Sequence, residues 1–112
     1  MNFQETDEYR KDLKKLTKRF KTLPEDIETL KKVLAVAPDE RPPISYRVGG
    51  LGIPDVIIKV KRIACRALKN KGSNTGLRLI YCYKKESEEI IFIELYFKGD
   101  KENENRERIL GL

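Results

Sequence analysis

Residues 77–97, Leu77-Arg-Leu-Ile-Tyr-Cys-Tyr-Lys-Lys-Glu-Ser-Glu-Glu-Ile-Ile-Phe-Ile-Glu-Leu-Tyr-Phe97, read as two strands joined by a short polar turn. Leu77–Tyr83 and Ile90–Phe97 are dense in β-branched and aromatic residues, while Lys84 to Glu89 is wholly polar. A third run precedes them, Val56-Ile-Ile-Lys-Val-Lys-Arg-Ile-Ala-Cys65, with Lys69-Asn-Lys-Gly-Ser-Asn-Thr-Gly76 as its turn. Consecutive strands with links this short form an antiparallel meander.

Toward the N-terminus the period changes. Tyr9, Leu13, Leu16, Phe20, Leu23, Ile27, Leu30 and Leu34 recur at steps of three and four, which places them on one helical stripe. Pro24 is tolerated only in a first turn, so the run divides into a helix over about 7–21 and a second over about 24–36. Thr6 is the expected N-cap, followed by Asp7 and Glu8 at the positive end of the dipole. The link between the helices is short enough for an antiparallel hairpin.

Residues 37–55 hold four prolines and three glycines and read as a connector, with Ile44-Ser-Tyr-Arg-Val48 a candidate short edge strand. Gly49-Gly-Leu-Gly52 lacks the Gly-Lys-Ser/Thr of a phosphate loop and reads as a turn. The charged tail from Asp100 has room for a short helix. The expected fold class is α+β: one domain over residues 1–112, with a helical hairpin on one face of a small antiparallel sheet in the order ααβββ.

Composition narrows the function. The chain has 112 residues and a net charge of +6, and 38% of its residues are charged. No stretch approaches the ~18 apolar residues of a membrane span. The polar, acidic start is not expected to be a secretory signal, so the expected setting is cytoplasmic. Histidine is absent, which excludes imidazole-based nucleophile activation and histidine ligation of zinc. The two cysteines, Cys65 and Cys82, fall in apolar runs and read as reduced core thiols. No metal or cofactor is expected.

Residues 56–85 carry nine basic side chains and no acidic one: Lys59, Lys61, Arg62, Arg66, Lys69, Lys71, Arg78, Lys84 and Lys85. Since the whole chain is +6, the remainder sums to −3. Side chains on a strand alternate between faces. Val56, Ile58 and Val60 thus oppose Lys59 and Lys61, and Leu77, Leu79, Tyr81 and Tyr83 oppose Arg78, Ile80 and Cys82. In the last strand Ile91, Ile93, Leu95 and Phe97 are expected against the helices, with Phe92, Glu94, Tyr96 and Lys98 facing the other way. The second face then presents Lys59, Lys61, Arg78, Tyr96 and Lys98 together. Such a surface suits a single-stranded RNA, whose phosphates pair with cations and whose bases stack on a ring. Taken singly, the lysines also read as solvated charges, Arg78 as a partner for Glu94, and Lys98 as protection of a sheet edge.

At these residues the chain resembles the RelE/HigB-type toxins of bacterial type II toxin–antitoxin systems, in the RelE/ParE superfamily. The segments that carry the likeness are Lys59-Val-Lys-Arg-Ile-Ala-Cys65, Gly76-Leu-Arg-Leu-Ile-Tyr81 and Ile93-Glu-Leu-Tyr-Phe-Lys-Gly-Asp-Lys101. The openings Glu5-Thr-Asp-Glu-Tyr9 and Asp12-Leu-Lys-Lys-Leu16 also look alike. The resemblance implies an mRNA endoribonuclease acting on ribosome-bound message, held inactive by an antitoxin encoded by a neighbouring gene. The site it implies is Lys59, Lys61, Arg78, Tyr96 and Lys98, and Arg62, Arg66, Lys69, Lys71 and Lys101 are the further RNA contacts expected. Two departures are plain: the chain lacks the histidine that some members use, and its tail carries Arg106 and Arg108 but no tyrosine.

The implied reaction is attack of a ribose 2′-hydroxyl on its own phosphate. Arg78 is expected to grip the phosphate through its planar fork. Lys61 or Lys59, its pKa lowered by neighbouring cations, is expected as the base, with Glu94 as the rival. Tyr96 would stack on a base or act as a weak acid. Two other readings fit the same cationic face: a non-catalytic RNA- or ribosome-binding module, and a ParE-like gyrase inhibitor.

Overall fold

The computed structural model describes every residue from Met1 to Leu112. In chain order the elements are β1 (Asn2–Glu5), α1 (Asp7–Thr17), α2 (Leu23–Val36), β2 (Ser45–Arg47), β3 (Val56–Val60), β4 (Leu77–Lys84), β5 (Glu89–Phe97) and α3 (Arg106–Leu110). They form one five-stranded sheet in the order β1-β5-β4-β3-β2. The meander β3-β4-β5 is antiparallel; residues 85–88 make the short link that requires this for β4 and β5, whereas the link from β3, residues 61–76, is longer than expected. The connector does supply an edge strand: β2 pairs antiparallel with β3, placing Tyr46 opposite Lys59. At the other edge β1 runs parallel to β5, with Phe3 opposite Ile90. The sequence reading does not include this strand, because four residues with one aromatic show no period.

Thr6 caps α1: its Oγ1 accepts from the Tyr9 amide at 3.1 Å. The first helix stops at Thr17 rather than near 21, since the Arg19 and Phe20 amides both turn back to the Leu16 carbonyl. Phe20 still reaches the core, its ring 5.3 Å from that of Phe97. Pro24 sits in the first turn of α2, where its missing amide costs nothing. The hairpin lays Tyr9, Leu16, Phe20, Leu23, Ile27 and Leu34 on one sheet face, against Ile58, Val60, Leu77, Leu79, Tyr81, Ile90, Phe92 and Leu95.

The last strand departs from simple alternation. Register shifts between Ile80 and Tyr81: Ile80 faces Glu94 and Tyr81 faces Phe92, leaving Ile93 as an extra residue. A bulge of this kind reverses the facing of everything on one side of it. Leu95 and Phe97 do face the helices, and Glu94 and Tyr96 the other way, as expected. Before the bulge the assignment is inverted: Phe92 and Ile90 lie under the helices, while Ile91 and Ile93 join the second face. The Thr6 hydroxyl donates to the Ile93 carbonyl at 3.3 Å, so the helix cap and the bulge hold each other.

The second face is not an open cationic surface. Ile57, Ile80, Cys82, Ile93, Tyr96 and Ile109 form a smaller apolar cluster there, packed by Val48, Leu51, Ile53 and Ile91. That much apolar area needs covering. Residues 48–53 and α3 provide the cover, with Gly50 and Gly52 at φ of 73° and 69° turning the loop. Cys65 and Cys82 are buried free thiols, as expected. No helix is long and apolar enough to cross a membrane.

Candidate functional site

β3 ends at Val60, five residues short of the expected run, because the Lys61 and Arg62 amides both bond the Ile44 carbonyl and turn the chain away. This puts Lys61 just past the end of β3, Arg78 at the start of β4 and Lys98 just past the end of β5. All three are therefore at one end of the sheet. The Arg78 Nη1 donates to the Lys61 carbonyl at 2.8 Å and to the Leu77 carbonyl at 3.2 Å. Across the ladder it faces Tyr96. Arg78 has no carboxylate partner, and neither do Lys61 and Lys98. The pairing of Arg78 with Glu94 does not form, because Glu94 is engaged elsewhere.

Glu94 is 1% exposed. Its carboxylate accepts from the Lys101 ammonium and, at 2.7 Å, from the Asn105 amide. With both oxygens taken, it is not a free base. Lys101 thus belongs to a structural tie rather than to an RNA contact. Asp12 makes a second tie, accepting from the Leu95 amide at 3.0 Å and from Arg108 at 2.6 and 3.1 Å. Together these bonds strap the tail over the second face.

Lys59 lies between Tyr46 and Ile80 in register, and its ammonium bonds Glu104 at 2.9 Å. The two side chains are only 14% and 11% exposed. Burial works against the Lys59 charge, but Tyr96 and Glu104 outweigh it and hold its pKa above the ordinary lysine value. The expectation of a lowered Lys59 pKa is therefore corrected: a carboxylate reaches it from 45 residues away, and it stays protonated. Burial likewise opposes the charge of Glu104, yet Lys59 and Arg106 bring its carboxyl below the usual range.

This pair sets a pH dependence. A carboxylate with a lowered folded pKa contributes stability above its unfolded value, lost as pH falls through the folded one. A lysine with a raised folded pKa contributes below its unfolded value, lost as pH rises through the folded one. The pair is therefore complete from mildly acidic to mildly basic pH. Glu104→Gln is expected to lower stability at neutral pH by about 1–3 kcal/mol and to flatten its acid decline. Asp26 and Asp39, also lowered, retain part of that decline. Urea unfolding at neutral and acidic pH measures both effects.

Tyr96 is 5% exposed, with the ammoniums of Lys59 and Lys101 at 5.8 and 5.2 Å from its ring centroid. Its hydroxyl is buried beside the Lys59 ammonium. Burial raises its pKa, with Lys59 pulling the other way. A ring so enclosed cannot stack on a base, which corrects the expectation for Tyr96. The accessible aromatic is Tyr46, which the sequence reading did not single out. It is 37% exposed, with the Lys61 ammonium 5.0 Å from its ring centroid. The alternation of a three-residue edge strand is too short to assign it a face; the register opposite Lys59 does so.

The loop between β3 and β4 carries the other basic residues expected to contact RNA, Arg62, Arg66, Lys69 and Lys71. Arg66 bonds Asp26 at 3.2 Å and also pairs with Glu25, so it ties its loop to the start of α2. Its charge is thereby offset, which removes it from the expected RNA contacts. Arg62 is exposed beside a groove of about 580 Å³, whose walls are α2 and residues 62–66. Lys69 and Lys71 are exposed on the following loop. No group of three or more His, Cys, Asp or Glu side chains is placed to hold a metal ion.

No protein-family model and no curated protein matches the chain in sequence. A solved structure does match in fold: a copper-bound mutant toxin from Helicobacter pylori, at a TM-score of 0.58 and 14% identity, over 90% of this chain and 98% of that one. At that identity the likeness is one of fold.

Proposed function

We propose that this chain is the toxin of a toxin–antitoxin pair, of the RelE/HigB type, and that it cleaves mRNA on the ribosome. The fold shared with a known toxin supports the toxin role. One observation carries the nuclease reading: Arg78 is held by two carbonyls, has no carboxylate partner, and shares its end of the sheet with the unpaired Lys61 and Lys98. A guanidinium so fixed grips two phosphate oxygens. Lys61 and Lys98 add positive charge where the phosphorane forms.

In the proposed reaction the 2′-hydroxyl gives up its proton and its oxygen bonds to phosphorus as the bond to the 5′-oxygen breaks and that oxygen takes up a proton, leaving a 2′,3′-cyclic phosphate and a 5′-hydroxyl. Lys59 and Tyr96 keep their protons at neutral pH. Lys61 and Lys98, exposed and unpaired, are the cations on this end free to reach the substrate. Orientation by the ribosome compensates for a sparse acid–base set. A 2′-deoxy nucleotide at the scissile position is expected to abolish the cut; equal cleavage of the deoxy substrate would overturn the mechanism. The antitoxin, in this reading, masks the basic end.

Binding should also depend on salt. About three phosphate contacts, from Arg78, Lys61 and Lys98, predict a log–log slope of about −2 on single strands. Anisotropy of labelled RNA over a salt series measures it, and a slope near zero would exclude this end as the binding surface. The locking of Lys59 and the burial of Tyr96 favour one alternative, a non-catalytic RNA- or ribosome-binding module. It predicts the same slope with no cleavage.

A further inference from the structure

Tyr46 is a large aromatic exposed at the sheet edge, yet it is held firmly. The Ser45 hydroxyl oxygen accepts from the Arg41 amide at 2.8 Å. On its other side the Arg47 guanidinium bonds Asp39 at 3.2 and 2.8 Å, and the Arg47 amide donates to Glu40 at 3.1 Å. Its own backbone is registered against Lys59. The ring therefore projects from a pinned strand rather than from a loose loop.

Its neighbour Lys61 joins it to the phosphate grip. The Lys61 carbonyl accepts from Arg78, while the Lys61 ammonium sits 5.0 Å from the Tyr46 ring centroid. Guanidinium and ring thus flank a single residue. Tyr46 is 37% exposed with that ammonium beside its ring. The other aromatic beside Arg78, Tyr96, is buried and enclosed by cations.

We infer that Tyr46 is a stacking platform for an unpaired RNA base next to the phosphate held by Arg78. Stacking needs a π-face at low ordering cost, and a ring pinned in advance supplies it. A cation at the ring also draws the adjoining phosphate toward it. This inference rests on the RNA reading above, which it sharpens by adding base contact to phosphate contact.

The chain has no tryptophan, so Tyr46→Trp places a single indole reporter at the platform. The probes are an uncleavable 2′-O-methyl oligoribonucleotide and an abasic oligomer with the same number of phosphates. Strong quenching of the indole by the first and little by the second is expected. In the chain without the reporter, Tyr46→Ala should weaken binding of the base-bearing oligomer about tenfold, while Tyr46→Phe retains it. Affinity for the abasic oligomer should not change. Equal quenching by both oligomers, or unchanged affinity in Tyr46→Ala, would overturn the platform while leaving the phosphate grip standing. Failure of either oligomer to bind the unmodified chain would overturn the RNA reading and the platform with it.

Discussion

Replacing Arg78 by alanine is expected to lower RNA cleavage about 10²–10³-fold, the usual loss when one preorganised charge-stabilising donor is removed. One nitrogen of the fork is committed to the Lys61 and Leu77 carbonyls, which fixes the plane of the group. No carboxylate competes for the rest. Lysine at this position restores charge but not the fork, so Arg78→Lys should recover only part of the rate. The side chain is half-buried and its partners are carbonyls near the sheet end, so the stability change should stay below about 1 kcal/mol. Single-turnover cleavage and urea midpoints on the same preparations separate the two effects. A large stability loss with a proportionate activity loss would make Arg78 structural.

Phe92→Ala is expected to be the most damaging single truncation in the core, at about 3–5 kcal/mol. Phe92 is 0% exposed, with ring centroids of Tyr9, Phe3 and Tyr81 at 5.2, 5.8 and 6.4 Å. It therefore joins α1, β1 and β4 to β5. A domain of this size has roughly 5–15 kcal/mol of stability in all, so the variant should lose a large share of it and unfold at a much lower temperature. The prediction also tests the bulge. With uninterrupted alternation Phe92 would sit on the second face, away from Tyr9. A loss below about 1 kcal/mol would contradict the register described above.

Some of this was legible in the sequence and some was not, for physical reasons. The three-and-four spacing from Tyr9 to Leu34 specified the hairpin because a helix buries one stripe. Alternation from Leu77 to Tyr83 specified the facing of β4 because that strand is regular. The bulge at Ile93 was hidden: Ile90, Ile91, Phe92 and Ile93 are all apolar, so either phase buries them. β1 was hidden because its pairing is parallel and its partner is 85 or more residues away. The basic block at 59–85 was plain, but its division was not. The carboxylates that neutralise Lys59, Arg66 and Lys101 come from Glu104, from Glu25 and Asp26, and from Glu94. Partners supplied by folding have no local pattern. Among the five residues expected to form the site, Lys61, Arg78 and Lys98 keep no carboxylate partner, while Lys59 is paired and Tyr96 is buried.

The most direct measurement is to add the purified chain to translating ribosomes and map the 5′ ends of the mRNA, comparing the unmodified chain with Arg78→Ala. The account predicts new ends at defined positions within codons, each bearing a 5′-hydroxyl, present with the unmodified chain and nearly absent with the variant. Intact mRNA, whether merely protected or accompanied by DNA breaks, would contradict it.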